Sequence, residues 1–351
     1  MSEATHNFAL IGSSGYVAPR HLKAIKSHHG RLLAAMDPHD AAGVLDSYFP
    51  QAAFFTEFER FDRHLEKLKR GGERMDFLSV CSPNYLHDAH ARYGLRYGAD
   101  IICEKPLVLH PRNLDALQEL EAETGRRVWN LLQLRHHPRI VEFKNLVEKQ
   151  PADKVFDIEL TYITPRGPWY HASWKGDPAK SGGIVTNIGI HLFDMLLWVF
   201  GKVQHTEIHV HTHGRAAGFL QLERARVRWF LSIEAEVMSN VHPPTASLRR
   251  VTQGMSNRGN PTTQQPNNST THSAHRSLLL DGAAWDFSEG FEDLHSLSYG
   301  RIISQQGWRI ADAAPGIELC HRLRHTQPVL NLEAAHPLAG LPPLPHPFGT
   351  P

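Results

Sequence analysis

Several features that would narrow the function at once are missing from this 351-residue chain. Cysteine is scarce: Cys81, Cys103 and Cys320 are scattered, and two of them sit in apolar strand-like runs. That spacing offers neither a disulfide framework nor a paired-cysteine metal motif, and reduced thiols in a cytoplasm are expected. Neither sign of charge is in excess, with 37 Lys and Arg against 36 Asp and Glu. Such a balance excludes the basic surface that nucleic acid or an anionic membrane requires. No apolar run approaches the ~18 residues of a membrane span, and residues 1–20 lack a basic start followed by an apolar stretch, so neither span nor signal peptide is expected. A P-loop and a nucleophile elbow are absent as well. Histidine, by contrast, is plentiful at 25 residues.

The length suits two domains. In the first third, "FALIG" (8–12), "RLLAAMD" (31–37), "MDFLSVCSP" (75–83) and "DIICEKP" (100–106) read as strands separated by helical patterns. Continuous apolar strands alternating with helices predict an α/β domain over 1–128, its parallel sheet covered on both faces. Ligands of such sheets bind outside the carboxyl ends of the strands. After residue 128 the pattern changes. "KVFDIELTYIT" (154–164) and "ARVRWFLSIEA" (225–235) alternate like half-buried strands of a more open, mostly antiparallel sheet, giving a second domain over 129–336. Between them "NIGIHLFDMLLWVFG" (187–201) predicts one helix with Ile188, Leu192, Met195, Leu196 and Val199 as its apolar stripe. Two further helices are expected near 291–304 and 309–325. Residues 239–276 are polar and rich in Pro, Asn, Thr and Ser, which predicts a flexible insertion; 337–351 reads as an ordinary Pro-rich tail.

"ALIGSSGYVAPRHLKAI" sets a strand, a glycine turn and a helix in succession. Gly12 and Gly15 permit a tight turn and close approach of phosphate, with Ser14, Tyr16 and Val17 leading into the helix N-terminus. Pro19 suits the first helical turn. The spacing is G-x-x-G-x-x-A, with Ala18 in the third place, so the turn carries one residue more than the usual fingerprint. Asp37 ends the next strand, where an acid accepts hydrogen bonds from ribose hydroxyls and repels a 2′-phosphate, favouring NAD over NADP. Asp37 can also be read as a simple turn cap in "MDPHD".

Three further pieces line up behind that turn: "CSPNYLH" (81–87), "EKP" (104–106) and "GGIVTNIGIHLFD" (182–194). Together they resemble the Gfo/Idh/MocA oxidoreductases, which act on sugars and sugar-like alcohols. With "LQLRHHP", "LTYITPRGPWY" and "SWKGDP" the chain is similar to the bacterial branch that oxidises C3 of UDP-N-acetylglucosaminuronate. The resemblance implies a Rossmann domain holding NAD, with Ser82, Pro83, Asn84, His87 and Glu104 beside the cofactor. It places Lys105 by the nicotinamide and the alcohol, where burial should lower its proton affinity and its hydrogen bond can polarise the developing ketone. His191 is the second candidate, an imidazole able to take the hydroxyl proton near neutral pH. Asn187, His191 and Asp194 lie at i, i+4 and i+7, so Asp194 is expected to orient His191. Many relatives carry Asp where Asn187 stands, and Asn cannot accept the proton.

Gln133, Arg135, Arg166, Trp169, Tyr170, Trp174 and Lys175 are expected around the same cleft, where aromatic faces and fixed cations suit a sugar carboxylate or diphosphate, and Asn187 and Asp194 are expected to bind substrate there too. Tyr85 is a further cleft candidate. The resemblance also implies reoxidation of NADH by 2-oxoglutarate, a pyridoxal-phosphate aminotransferase as pathway partner, lipopolysaccharide sugars as the product class, and a homo-oligomer formed through the second sheet. A metal is not expected: His209, His211 and His213 alternate along "EIHVHTH" (207–213), but no carboxylate or cysteine completes a site at zinc-binding spacing. Two other readings stand beside the enzyme of this branch. One is a dehydrogenase of another sugar or cyclitol; the other is a non-catalytic dinucleotide sensor, which could dispense with Lys105 and His191.

Overall fold

Short apolar runs, each followed by an amphipathic stretch, favour alternation of strand and helix. The computed structural model describes residues 6–241, 274–331 and 333–349. Its first strands are β1 (Asn7–Ile11), β2 (Arg31–Met36), β3 (Ala53–Phe55), β4 (Phe77–Val80), β5 (Asp100–Cys103) and β6 (Val128–Asn130). Around them pack α1 (Ala18–Ser27), α2 (Ala42–Tyr48), α3 (Phe58–Arg70), α4 (His87–Tyr97) and α5 (Arg112–Thr124). All six strands are parallel, in the order β3-β2-β1-β4-β5-β6. Phe8, Ala9, Leu10 and Ile11 are all buried, as are Ile101, Ile102 and Cys103. Burial from both faces is why these strands read as unbroken apolar runs. The strand order reverses between β1 and β4, so the crevice for a ligand lies at their carboxyl ends. Gly12, Ser82 and Lys105 all follow strands at that edge.

The second half adds α6 (Pro138–Glu148), β7 (Phe156–Ile163), α7 (Trp169–Ala172), α8 (Pro178–Ser181), α9 (Gly183–Asn187) and α10 (Ile190–Phe200). Then come β8 (Val203–His211), β9 (Arg215–Leu222), β10 (Ala225–Ser232), β11 (His275–Leu280), β12 (Ala283–Ala284), α11 (Leu294–Ile303) and α12 (Ile310–His325). The second sheet runs β12-β11-β7-β10-β9-β8. Only β7 and β10 pair in parallel; the other neighbours are antiparallel. Among the described residues no single helix is long and apolar enough to cross a membrane.

Four details depart from the sequence reading. The helix expected over 187–201 is broken after Asn187, and the segments on either side are bent by 46°. Gly189 sits at the bend, where a Cβ would lie 2.4 Å from the Val185 carbonyl oxygen and 2.6 Å from the Phe193 ring. The helices after residue 291 do not stay with the second sheet alone. Tyr299 and Ile302 of α11 enter the core of Phe8, Leu22, Ile25 and Trp129, and Arg309 bridges to Trp129 on the edge strand β6.

The tail is also docked rather than free. Leu338, Ala339 and Leu341 cover Ile163, Ala217 and Phe230 on the second sheet, and Arg215 donates to the Leu341 carbonyl at 3.0 Å. Of the stretch 239–276, Ser239 and Asn240 close a 3-10 helix and His275 opens β11; residues 242–273 lie outside the described residues.

Candidate active site

The cofactor end is assembled by the loops after β1 and β2. Gly12 has φ +93°, and a Cβ there would fall 2.5 Å from the Cys81 carbon and Ser82 nitrogen. Only glycine lets the loops after β1 and β4 lie this close. The N-terminus of α1 has no side-chain cap and no acidic residue in its first turn. The N–H groups of Tyr16 and Val17 find no acceptor among the described residues, and the Ser13 hydroxyl is buried without a partner. These open donors at a helix start fit a diphosphate. Asp37 is buried and oriented by two backbone donors, Ser14 at 3.0 Å and His39 at 2.9 Å. Its remaining lone pairs can accept a ribose diol, and its charge opposes a 2′-phosphate. The residues present therefore fit NAD.

The reaction end forms where the loops after β4 and β5 meet α9 and α10. The ring nitrogens of His87 lie 2.8 Å from the Ser82 carbonyl and 2.7 Å from the Pro106 carbonyl, tying the two loops together. His87 was expected beside the cofactor, but it is 1% exposed and both nitrogens are committed, so it positions the loops instead. Glu104 is likewise a positioning residue. His21 and His295 each place Nε2 3.0 Å from the same carboxylate oxygen. Burial opposes charge on Glu104, yet those hydrogen bonds hold its carboxyl well below the usual range, while burial lowers His21. The stable arrangement is a carboxylate clasped by two imidazole N–H donors. Tyr299 Oη contacts His21 Nδ1 at 2.8 Å and Ser79 Oγ at 2.7 Å, completing a hydrogen-bonded chain. These three ligand-type side chains are grouped closely enough for a metal ion, but their hydrogen bonds are satisfied without one.

That network puts a negative charge directly before Lys105. The Lys105 ammonium donates to the Asn187 carbonyl at 3.3 Å. Burial lowers its proton affinity, Glu104 opposes the shift, and Lys175 and Arg166 reinforce it. His191 is partly exposed at the start of α10. Burial, and then the charge of Lys105, push its imidazole well below the ordinary value. At neutral pH the pair is thus an unprotonated imidazole beside an ammonium, able to accept a proton and stabilise an oxyanion respectively.

Asn187 sits between the two halves of the chain. Its amide donates to Tyr170 Oη at 2.9 Å, while Asn84 donates to the Ser181 carbonyl at 2.8 Å. Tyr170 is buried, Trp169 and Arg166 are exposed, and the Lys175 ammonium lies 5.1 Å and 5.7 Å from the Trp169 and Trp174 ring centres. Gln133 begins a 3-10 helix, and its buried Oε1 has no partner among the described residues.

Two expected substrate residues are spent on each other. Arg135 Nε and Nη2 grip Asp194 at 3.0 Å and 2.7 Å, and Trp308 stacks 4.7 Å from the guanidinium. Both partners are buried. Asp194 therefore does not orient His191, because its carboxylate turns to Arg135, and the bend at Gly189 sets Asn187 apart from the helix that carries the other two. The histidines of 207–213 also diverge, since a bulge between Ile208 and Val210 interrupts the strand alternation. His209 bonds Glu207 at 3.0 Å, whereas His213 packs on His171 and His346. His21, His295 and Tyr299 were missed, because nothing local in the sequence marks partners that lie 83 or more positions apart.

With this geometry in place, comparison with known proteins decides the family. Residues 6–131 match the profile of the oxidoreductase family GFO_IDH_MocA, NAD-binding Rossmann fold, and residues 144–324 match its C-terminal alpha/beta domain. The chain belongs to the Gfo/Idh/MocA oxidoreductases. Within this family it is similar to the WlbA (WbpB) dehydrogenase of Thermus thermophilus, at 43% identity and a TM-score of 0.82, covering 95% of this chain and 99% of that one. That protein has been solved with NAD and alpha-ketoglutarate, and with NAD and UDP-GlcNAcA. The WlbA dehydrogenase of Bordetella pertussis, at 16% identity and a TM-score of 0.68 over 92% of this chain and 96% of that one, shares the fold. D-glucoside 3-dehydrogenase of Escherichia coli is 26% identical over 39% of each protein. The matches to curated relatives span 37% to 56% of those relatives' length.

Proposed function

We propose that this protein is an NAD-dependent sugar-nucleotide dehydrogenase that oxidises the C3 hydroxyl of UDP-N-acetyl-D-glucosaminuronate to the 3-keto sugar. The observation that carries the reading is the pairing of the Lys105 ammonium with the unprotonated His191 imidazole across the end of α9. Similarity to the Thermus thermophilus dehydrogenase, solved with NAD and UDP-GlcNAcA, supports the substrate. Bound NAD supplies the hydride acceptor. Lys105 donates a hydrogen bond to the C3 oxygen and stabilises the negative charge that builds there as the hydroxyl proton leaves, until departure of hydride from C3 forms the neutral ketone. His191 accepts the hydroxyl proton. Protonated His191 is repelled by Lys105, which favours release of that proton to water once the ketone has formed. Asn187 holds the Lys105 ammonium through its carbonyl and cannot itself accept the proton.

The same reading extends to reoxidation of the cofactor by 2-oxoglutarate, which the alpha-ketoglutarate complex of the Thermus thermophilus dehydrogenase supports. A pyridoxal-phosphate aminotransferase would consume the 3-keto product on the way to lipopolysaccharide sugars. A homo-oligomer through the second sheet and a cytoplasmic setting, consistent with three free buried thiols, complete it. The test is to incubate the protein with UDP-N-acetylglucosaminuronate, NAD and 2-oxoglutarate and follow the nucleotide sugar by mass spectrometry. A product two hydrogens lighter is expected. No such product from protein shown to bind NAD would overturn the substrate.

A further inference from the structure

A cavity of about 290 Å³ shares Tyr170 and Lys175 with the reaction cleft and is bounded further by Gly182, His211, Arg324 and His325. Its composition is one-sided. Lysine, arginine and histidine contribute to the wall, and among the described residues no carboxylate does. The half-buried Arg324 is the unusual member. Arg135 and Arg215, which are buried, each grip a carboxylate, Asp194 and Glu234. Among the described residues Arg324 has no such partner, and its hydrogen bond is a long one, 3.3 Å to the Leu109 carbonyl. Burial accordingly lowers its proton affinity. A guanidinium taken out of water without a counter-charge is destabilising unless an anion comes to it.

The cavity is also correctly placed for one particular anion. Gly183 at the start of α9 lines it, and Asn187 at the end of α9 holds the Lys105 ammonium. Four residues of helix advance about 6 Å, comparable with the width of one hexose ring. A sugar with its C3 hydroxyl at Lys105 therefore reaches the cavity with its anomeric substituent.

We propose that this cavity seats the diphosphate of the sugar nucleotide, with Arg324 and Lys175 as its charged grips. The proposal rests on the sugar-nucleotide reading above. A guanidinium fork matches two phosphate oxygens at once, and the compact Lys175 ammonium adds a second charge to the lining. A dicarboxylate such as 2-oxoglutarate carries related chemistry, so the test must separate the two.

Calorimetry on the full-length, NAD-loaded protein does so, with UDP, inorganic pyrophosphate and 2-oxoglutarate as titrants. UDP and pyrophosphate should bind the wild type. Arg324→Gln should weaken both by about tenfold or more, the worth of a charge-assisted hydrogen bond, without changing 2-oxoglutarate affinity. Arg324→Lys, which keeps the charge, should recover most of the loss and so distinguish a lost grip from a disturbed fold. Equal UDP affinity in the wild type and Arg324→Gln would overturn the proposal, as would a wild type that binds no UDP, or a loss confined to 2-oxoglutarate. None of these titrations needs oxidation at C3, so failure of the C3 reading and failure of the diphosphate seat give different results.

Discussion

The end of β5 and the bend between α9 and α10 deliver the two halves of the reaction centre by different means. Lys105 follows a strand buried on both faces, and the residues around it are tied by polar bonds: His87 joins the Ser82 and Pro106 carbonyls, and His21 and His295 clasp Glu104. His191 rides on a helix segment whose direction is set by packing at Gly189, against Val185, Phe193 and Leu231. One side is positioned by charge and hydrogen bonds, the other by close steric fit. Substitutions on the first side should therefore shift proton affinity as well as stability, whereas those on the second should shift placement alone.

The largest change on the helical side should come from His191→Asn, which removes the proton acceptor while keeping a polar side chain. A fall in kcat of about 10²–10⁴-fold is expected, with NAD affinity unchanged by fluorescence titration. Next, Glu104→Gln leaves two imidazole donors facing one neutral acceptor. It should cost about 3 kcal/mol in urea unfolding at neutral pH. Because the folded-state carboxyl is held below its ordinary value, the stability it contributes is present above that value and is lost as pH falls through the depressed one. The gap between wild type and variant should accordingly close in strong acid. Glu104 also raises the proton affinity of Lys105, so the variant's alkaline activity limb should move to lower pH. The smallest effect is expected from Gly189→Ala. Its Cβ must displace backbone or ring atoms, at about 2 kcal/mol, and kcat should fall without any movement of the pH limbs. A shifted limb in Gly189→Ala, or an unshifted one in Glu104→Gln, would dissolve the contrast.

The same division explains what could be read from the chain. The parallel strands were legible because burial on both faces demands continuous apolar residues, and the motifs at their carboxyl ends keep fixed distances from them. The strand β9 was not, and β8 was read only through the alternation over 207–213. β8 mixes His205, Thr206, Glu207 and His209 with two bulges, and β9 follows Arg215 with Ala216, Ala217 and Gly218, where Gly218 packs under the Trp229 ring. Asp194 looked like a partner for His191 because local spacing was the only guide; its true partner, Arg135, lies 59 residues away. The clasp on Glu104, and Arg324 with no carboxylate partner among the described residues, were invisible for the same reason. Each depends on elements that meet only after the chain has folded back on itself.

The central claim is that Lys105, set at the strand end by its polar neighbours, stabilises the charge on the reacting oxygen. The direct measurement is turnover of UDP-N-acetylglucosaminuronate by Lys105→Met alongside its NAD affinity. Loss of turnover by about 10³-fold or more with NAD bound as tightly as in the wild type is the predicted result. Turnover that survives the substitution would contradict the account.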